Sequence, residues 1–307
     1  MRNKFAEVLL QLMEQDDKVV LLYADIGNRL FNKHKELAPD RVINAGIAEA
    51  NMASMAAGMA KMGLKPVIYT ITPFTTARNF EQIKIDIAYQ NLPVTIVGTG
   101  SGLAYANLGP THHSFEDIAL MRVLPNMQVV CPCDSNELSA LLPQAIASGK
   151  PCYLRIGKKN EPLINVQEPS ATIGKVNIIK RGLDVCILAV GTIIDLAVEL
   201  QHKLEEQGKD VQLVSFHTVK PLDSEFLLSL VNQYRQVIIL EEHSKHCGAG
   251  SAIFEWQIDN NVMLNISHFA IDDKFIDQVG STQSARIKAR LCLDFILNKL
   301  KNKALVV

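Results

Sequence analysis

No apolar stretch in this 307-residue chain approaches the roughly 20 residues needed to span a bilayer, so the sequence gives no membrane-crossing segment. It also lacks an excess of charge of one sign. With 31 Lys and Arg against 32 Asp and Glu the formal net charge is −1, which leaves no electrostatic footing for nucleic acid or an anionic membrane surface. The six cysteines (131, 133, 152, 186, 247 and 292) form no Cys-x-x-Cys pair. Most sit in apolar runs such as Val129-Val130-Cys131 and Val185-Cys186-Ile187, as buried reduced thiols do, and the expected compartment is the cytoplasm. No Gly-x-x-x-x-Gly-Lys-Ser/Thr loop is present, and no Gly-x-Gly-x-x-Gly follows a strand and opens a helix. Gly100-Ser101-Gly102 has the spacing of a hydrolase nucleophile elbow but no helical sequel. Tandem repeats and low-complexity segments are absent too.

What is present is a core-forming composition: 48% hydrophobic and 21% charged residues, enough to bury a sizeable interior. The first residues carry Phe5, Val8, Leu9, Leu12 and Met13 at helical spacing with acidic interruptions, which is an amphipathic domain helix and not a signal peptide. Short apolar runs then recur between helical patterns. Residues 19–24, 66–71, 94–99, 127–131 and 152–156 read as strands, followed after a break by 185–190, 211–216, 236–240 and 264–269. They lack polar alternation, as strands covered on both faces do. The expected class is therefore α/β, with two doubly wound domains built on mainly parallel sheets. The break, 157–174, holds Lys158, Lys159, Pro162, Pro169 and Ser170 and reads as a surface linker, dividing the chain into 1–165 and 166–307. A last helix is expected over about 284–301, ending in a basic, frayed tail.

In open α/β sheets ligands gather beyond the carboxyl ends of the strands, so the segments that matter are 25–28, 72–78, 98–113 and 157–160. The third carries glycines at 98, 100, 102 and 109 and histidines at 112 and 113. Before them, Gly-Ile-Ala-Glu-Ala-Asn-Met (46–52) leads into a helix rich in small residues (Ala53, Ser54, Ala56, Ala57, Gly58, Ala60), which can pack close to its neighbours. A carboxylate at Glu49 then sits at a helix mouth, either facing water as a first-turn acid or desolvated and offered to a ligand.

The runs RVINAGIAEANM (41–52), PFTTARNFEQ (73–82), GPTHHSFEDIALMRVLPNM (109–127), KPLD (220–223) and EEHSKHCGAGSA (241–252) occur in one order. Together they resemble the C-terminal half of a transketolase, in particular of those transketolases that are split into two polypeptides. The resemblance covers nearly the whole chain and implies a pyrimidine-binding thiamine-diphosphate domain over 1–165 and a transketolase C-terminal domain over 166–307. It implies thiamine diphosphate as cofactor and transfer of a two-carbon ketol unit between sugars. The Gly-Asp-Gly motif that holds Mg2+ and the diphosphate in such enzymes is absent here. A partner subunit is thus expected to supply that domain and the metal, in a heterotetramer of two of each chain, and no metal ligands are expected in this one. Two histidines near the Gln236–Leu240 run, His243 and His246, lack further ligands for a metal site.

By the same resemblance, Glu49 is the carboxylate that meets the aminopyrimidine, a task helped by burial that raises its pKa. Phe74 stacks on the ring. Arg78 belongs to the same pocket, or else pairs with Glu81 or Glu116. Asp25 borders the cofactor or caps a helix. His112, in the Gly-x-Thr-His stretch, is the proton-transferring residue and touches substrate. Arg155, at the end of the strand before the linker, binds a sugar phosphate or serves a structural role. His113 stands where glutamine is usual and inherits no role. Leu108 and Gly100 replace groups that are usually polar, which leaves the substrate open. The alternatives are a 1-deoxyxylulose-5-phosphate-synthase-like reaction, the beta subunit of a 2-oxoacid dehydrogenase, or a non-catalytic structural subunit.

Overall fold

Strands covered on both faces divide their side chains, at a period of two, between two interiors. The computed structural model describes residues 1–27, 29–159, 161–165, 170–277 and 279–304. Strand β1 (Val19–Tyr23) is buried throughout, with Val20 and Leu22 in one apolar cluster and Leu21 and Tyr23 in another. The remaining strands are β2 (Val42–Asn44), β3 (Lys65–Ile71), β4 (Thr95–Thr99), β5 (Gln128–Val130), β6 (Cys152–Ile156), β7 (Asn177–Lys180), β8 (Val185–Val190), β9 (Val211–Ser215), β10 (Thr218–Lys220), β11 (Gln236–Ser244) and β12 (Ile266–Ile271). They form a seven-stranded sheet, β10-β5-β6-β4-β3-β1-β2, and a five-stranded sheet, β12-β11-β8-β9-β7. Every pairing is parallel except β10 with β5 and β7 with β9. The fold is α/β with mainly parallel sheets, as expected.

Strands β2, β7 and β10 have no counterpart among the apolar runs, and all three lie at sheet edges. An edge strand has one neighbour and tolerates polar residues, so Val-Ile-Asn, Asn-Ile-Ile-Lys and Thr-Val-Lys carry too little hydrophobic signal. Strand β10 also crosses the expected domain division: it belongs to the second half of the sequence but extends the first sheet. The division at 165/166 adjoins residues 166–169, which lie outside the described residues. So do Asn28, Asn160, Gln278 and the tail from 305 to 307.

Helices Arg2–Gln15 and Ser135–Ala147 cover one face of the first sheet. Glu49–Lys61 covers the other, burying Met52, Ala53, Ala56, Ala57 and Ala60. That second cluster does not stop at the first sheet. It runs through Met121, Val129, Cys131 and Tyr153 into Cys186, Leu188, Val214 and Phe216 of the second sheet. The far face of the second sheet packs Ile187, Ala189, Leu213 and Leu240 under helix Ile194–Glu206. At the C-terminus the single expected helix is two, Thr282–Lys288 and Leu293–Ala304. Between them Arg290 adopts φ 62°, a left-handed conformation that ends a helix.

The thiols are all free, with Cys131, Cys133, Cys152 and Cys186 buried. Burial pushes Cys152 and Cys186 up to about 12, which leaves them inert. No helix among the described residues is long and apolar enough to cross a membrane.

Strands β7 and β8 flank β9 on opposite sides, so the chain between them must cross the end of β9, and Gly182 makes that crossing. A Cβ there would lie 2.3 Å from the Val211 carbonyl carbon and 2.6 Å from the Gln212 nitrogen, both backbone atoms that cannot rotate away. Gly182→Ala is expected to lower the unfolding free energy by about 1–3 kcal/mol. Urea denaturation measures this, and an unchanged midpoint would show that the crossing has slack.

Candidate functional site

Strands β1, β3, β4 and β6 are mutually parallel neighbours, so the segments after them emerge along one sheet edge. After β2 the chain turns at Gly46 and enters helix Glu49–Lys61, whose N-cap, Ala48, supplies no side-chain cap. Glu49 lies in the first turn, yet it is only 4% exposed. Its Oε1 accepts a hydrogen bond from Arg78 Nη1 at 2.9 Å, and Asn79 Nδ2 donates to its main-chain carbonyl at 3.4 Å.

Phe74 sits in the one-turn helix Thr72–Thr75 directly after β3. The Arg78 guanidinium lies over the Phe74 ring with Cζ 4.1 Å from the centroid. The His112 imidazole also meets Phe74 edge-on, with ring centroids 5.3 Å apart. Glu49, Phe74, Arg78 and His112 therefore form one cluster. Arg78 pairs with Glu49 and not with Glu81 or Glu116: Glu81 accepts from Gln82, and Glu116 accepts from the Phe115 amide.

His112 is half-buried, with Nδ1 2.9 Å from Thr111 Oγ1. Burial holds its pKa below the ordinary imidazole value, and the positive charges of Arg78 and Lys158 push it the same way. The imidazole is thus neutral near pH 7 and able to take a proton. Tyr105 stands 6.0 Å from it, and Lys158 Nζ lies 4.1 Å from the Tyr105 ring centroid. Gly100 has φ 74°, and a Cβ on it would lie 2.0 Å from Tyr105 Cε2, so the Tyr105 ring occupies the space that a side chain at 100 would need. The group missing at Gly100 is replaced by an aromatic from the following loop. Leu108, 45% exposed, is an apolar residue close by in sequence.

Three residues that the sequence reading missed belong here: Tyr105, Lys158 and Arg2. Burial pushes the Tyr105 phenol up, with Arg2 opposing, and Arg2 Nε is buried without a hydrogen-bond partner among the described residues. Burial lowers the Lys158 pKa, helped by repulsion from Lys159 and Arg2. These cations therefore crowd one end of the cluster. Lys158 lies in the segment after β6, and that position past the strand end is the signal that marks it, whereas Arg155 lies inside the strand.

Arg155 is placed elsewhere. It is inside β6, 2% exposed, with Nε 2.6 Å from Asp117 Oδ2 and Nη2 within 3.3 Å of Asp117 Oδ1 and 2.9 Å of the Glu242 carbonyl. Tyr153 Oη donates to the same Asp117 Oδ2 at 2.6 Å. Burial pushes the Asp117 carboxyl up, but Arg155 and His243 outweigh it and hold it below the usual range. A guanidinium engaged in this way is a structural tie and is not presented to a sugar phosphate. Asp25 is also apart from the cluster. It is exposed, adopts φ 43°, and receives Asn44 Nδ2 on Oδ1 at 3.3 Å, and no helix begins at it. His113 is buried with neither ring nitrogen partnered among the described residues, and burial lowers its pKa. His243 Nε2 accepts from the Ala119 amide at 3.3 Å and Nδ1 bonds the Ser244 carbonyl at 2.8 Å. No metal-binding group of three His, Cys, Asp or Glu occurs among the described residues.

Removing one cation from beside an imidazole raises its pKa. Lys158→Ala is expected to move the His112 titration upward, toward the free imidazole value of 6.5. NMR titration of the His112 ring protons measures it, and an unchanged or lower midpoint would place Lys158 out of electrostatic reach.

Comparison with known proteins matches two domains to this chain. The transketolase pyrimidine binding domain matches residues 1–162, and the transketolase C-terminal domain matches 174–279. The chain is 33% identical to 6-deoxy-6-sulfo-D-fructose transketolase subunit SqwH of Clostridium sp. (strain MSTE9), over 94% of this chain and 89% of that one. It is 32% identical to an apulose-4-phosphate transketolase subunit of Phocaeicola vulgatus, over 86% of each. A solved split gene transketolase, an inactive beta4 tetramer, superposes with a TM-score of 0.89 at 30% identity, covering 98% of this chain and 97% of that one. The chain belongs to the transketolase family, and its counterpart there is the separate subunit of the split enzymes that carries these two domains.

Proposed function

We propose that this chain is one subunit of a thiamine-diphosphate-dependent transketolase that moves a two-carbon ketol unit from a ketose with an anionic group to an aldehyde. The observation that carries the proposal is the buried Glu49 carboxyl beside the Phe74 ring. Arg78 already tests the fit: a flat, nitrogen-bearing cation lies against Phe74 and donates to Glu49 Oε1. An aminopyrimidine is also flat and nitrogen-bearing, so this pair of contacts suits it. Asn79 Oδ1 and Thr75 Oγ1, both buried nearby in sequence, have no hydrogen-bond partner among the described residues and supply acceptors for such a ring.

When bound, thiamine diphosphate would supply the nucleophilic carbon for ketol transfer. Glu49 would hold a proton between its carboxyl and the pyrimidine ring, at the oxygen to which Arg78 donates. Phe74 orients the ring. His112, kept neutral by burial and two nearby cations, takes a proton from a substrate hydroxyl and returns it to the product. Arg2 and Lys158 receive the anionic end of the sugar beside Tyr105. The names of the relatives support an anionic substrate, since one carries a sulfo group and the other a phosphate. This assigns the sugar-phosphate role expected of Arg155 to Lys158 and Arg2.

The sequence contains no Gly-Asp-Gly. We therefore assign Mg2+ and the diphosphate to a partner subunit with that motif, in an assembly of two of each chain in the cytoplasm. The chain alone is expected to show no ketol transfer, and adding that partner with cofactor and Mg2+ is expected to restore it. Activity of the isolated chain in a coupled assay would refute the split-site reading. In the assembled enzyme Glu49→Gln is expected to reduce kcat by about 10²–10⁴-fold with circular dichroism unchanged. Full activity in that variant would remove Glu49 from its role.

A further inference from the structure

We infer that Arg155 is a positioning residue for His112 and that through it the C-terminal domain sets the orientation of that imidazole. This rests on the proton-transfer role proposed for His112. His112 is followed by a short span, Ser114 to Asp117, that leads into helix Asp117–Arg122. Arg155 grips both ends of that span. Its Nη2 lies 3.4 Å from the Ser114 carbonyl, and its Nε and Nη2 hold the Asp117 carboxylate at 2.6 and 3.3 Å.

The same Nη2 donates to the main-chain carbonyl of Glu242 at 2.9 Å, on β11 of the second sheet. Strand β11 adds two grips of its own: the Ser244 amide donates to the Phe115 carbonyl at 2.8 Å, and His243 Nε2 accepts from the Ala119 amide at 3.3 Å. Glu242 is fixed in turn, because its carboxylate accepts from Arg286 Nε at 2.9 Å while Arg286 also binds Asp195. A planar guanidinium with several fixed donors can satisfy a carboxylate and two carbonyls at once. A lysine ammonium keeps the charge without that fork geometry. On the other side of His112, its amide bonds the Gly109 carbonyl at 3.0 Å, so the ring is carried between two anchored points. Arg155 is buried with its donors taken up by Asp117 and the Ser114 and Glu242 carbonyls, so it acts through the backbone that presents His112.

A double-mutant cycle on the complex assembled with its partner separates positioning from plain structural support. Arg155→Lys is expected to lower kcat by about tenfold to a hundredfold with the donor KM changed by less than about threefold. In an His112→Gln background the same substitution is expected to cost less than about twofold, because no imidazole remains to be misplaced. An equal loss in both backgrounds overturns the inference, as does an Arg155→Lys enzyme with wild-type kcat. Unchanged activity in His112→Gln alone would instead sink the role proposed for His112. If Arg155→Lys does not fold, as judged by circular dichroism, Tyr153→Phe takes its place in the cycle. It removes one hydrogen bond to Asp117 and is expected to give a smaller loss of kcat that again vanishes in His112→Gln; a loss of the same size in both backgrounds overturns the inference.

Discussion

The apolar layer shared by the two sheets is the constraint on which the other features depend. Val129, Cys131 and Tyr153 of the first sheet and Cys186, Leu188, Val214 and Phe216 of the second belong to one cluster. Burial at roughly 25 cal/mol per Å² of apolar surface makes such a layer the main force holding the halves in register. Strand β10 completes the union by adding a strand from the second half to the edge of the first sheet. With the halves fixed in this way, β11 can deliver main-chain groups to a segment of the first domain at fixed positions.

Polar groups are buried along the same seam, and several of the charged ones there are paired. Arg155 faces Asp117, Arg286 faces Glu242 and Asp195, and Glu241 faces His268 at 2.7 Å. Buried pairs of this kind contribute little net stability over an apolar replacement, but breaking one strands its partner. Their effect is specificity of placement: the seam has one arrangement in which all of these groups are satisfied. That placement is what brings the loop with His112 beside the turn with Phe74.

Much of this was legible in the residues. The long buried strands and the amphipathic first helix follow from apolar runs and helical spacing, because burial on both faces leaves a strong pattern. The edge strands β2, β7 and β10 left none, since pairing on one side asks little of the side chains. Glu49, Phe74, Arg78 and His112 come together because four adjacent parallel strands or the turns beside them end at one edge, a rule that sequence order alone can apply. Arg155 and Lys158 differ by three residues, and the sequence does not tell a strand-interior cation from one beyond the strand end unless the strand boundary is known. Tyr105 was hidden for another reason. Its place is defined by the room that Gly100 leaves, a relation across five residues of irregular loop.

The contact between Arg78 and Glu49 bears on how the chain keeps a buried carboxylate when no ligand meets it. A carboxylate buried to this degree and left unpaired would be costly to desolvate. Here the chain supplies its own counter-ion, on a side chain that is 45% exposed and so free to swing outward. On the proposed reading, entry of a cofactor is an exchange of partners around Glu49 and Phe74, and not the filling of an open charged hole. On that reading the Glu49 carboxyl stays paired until the molecule that it serves arrives.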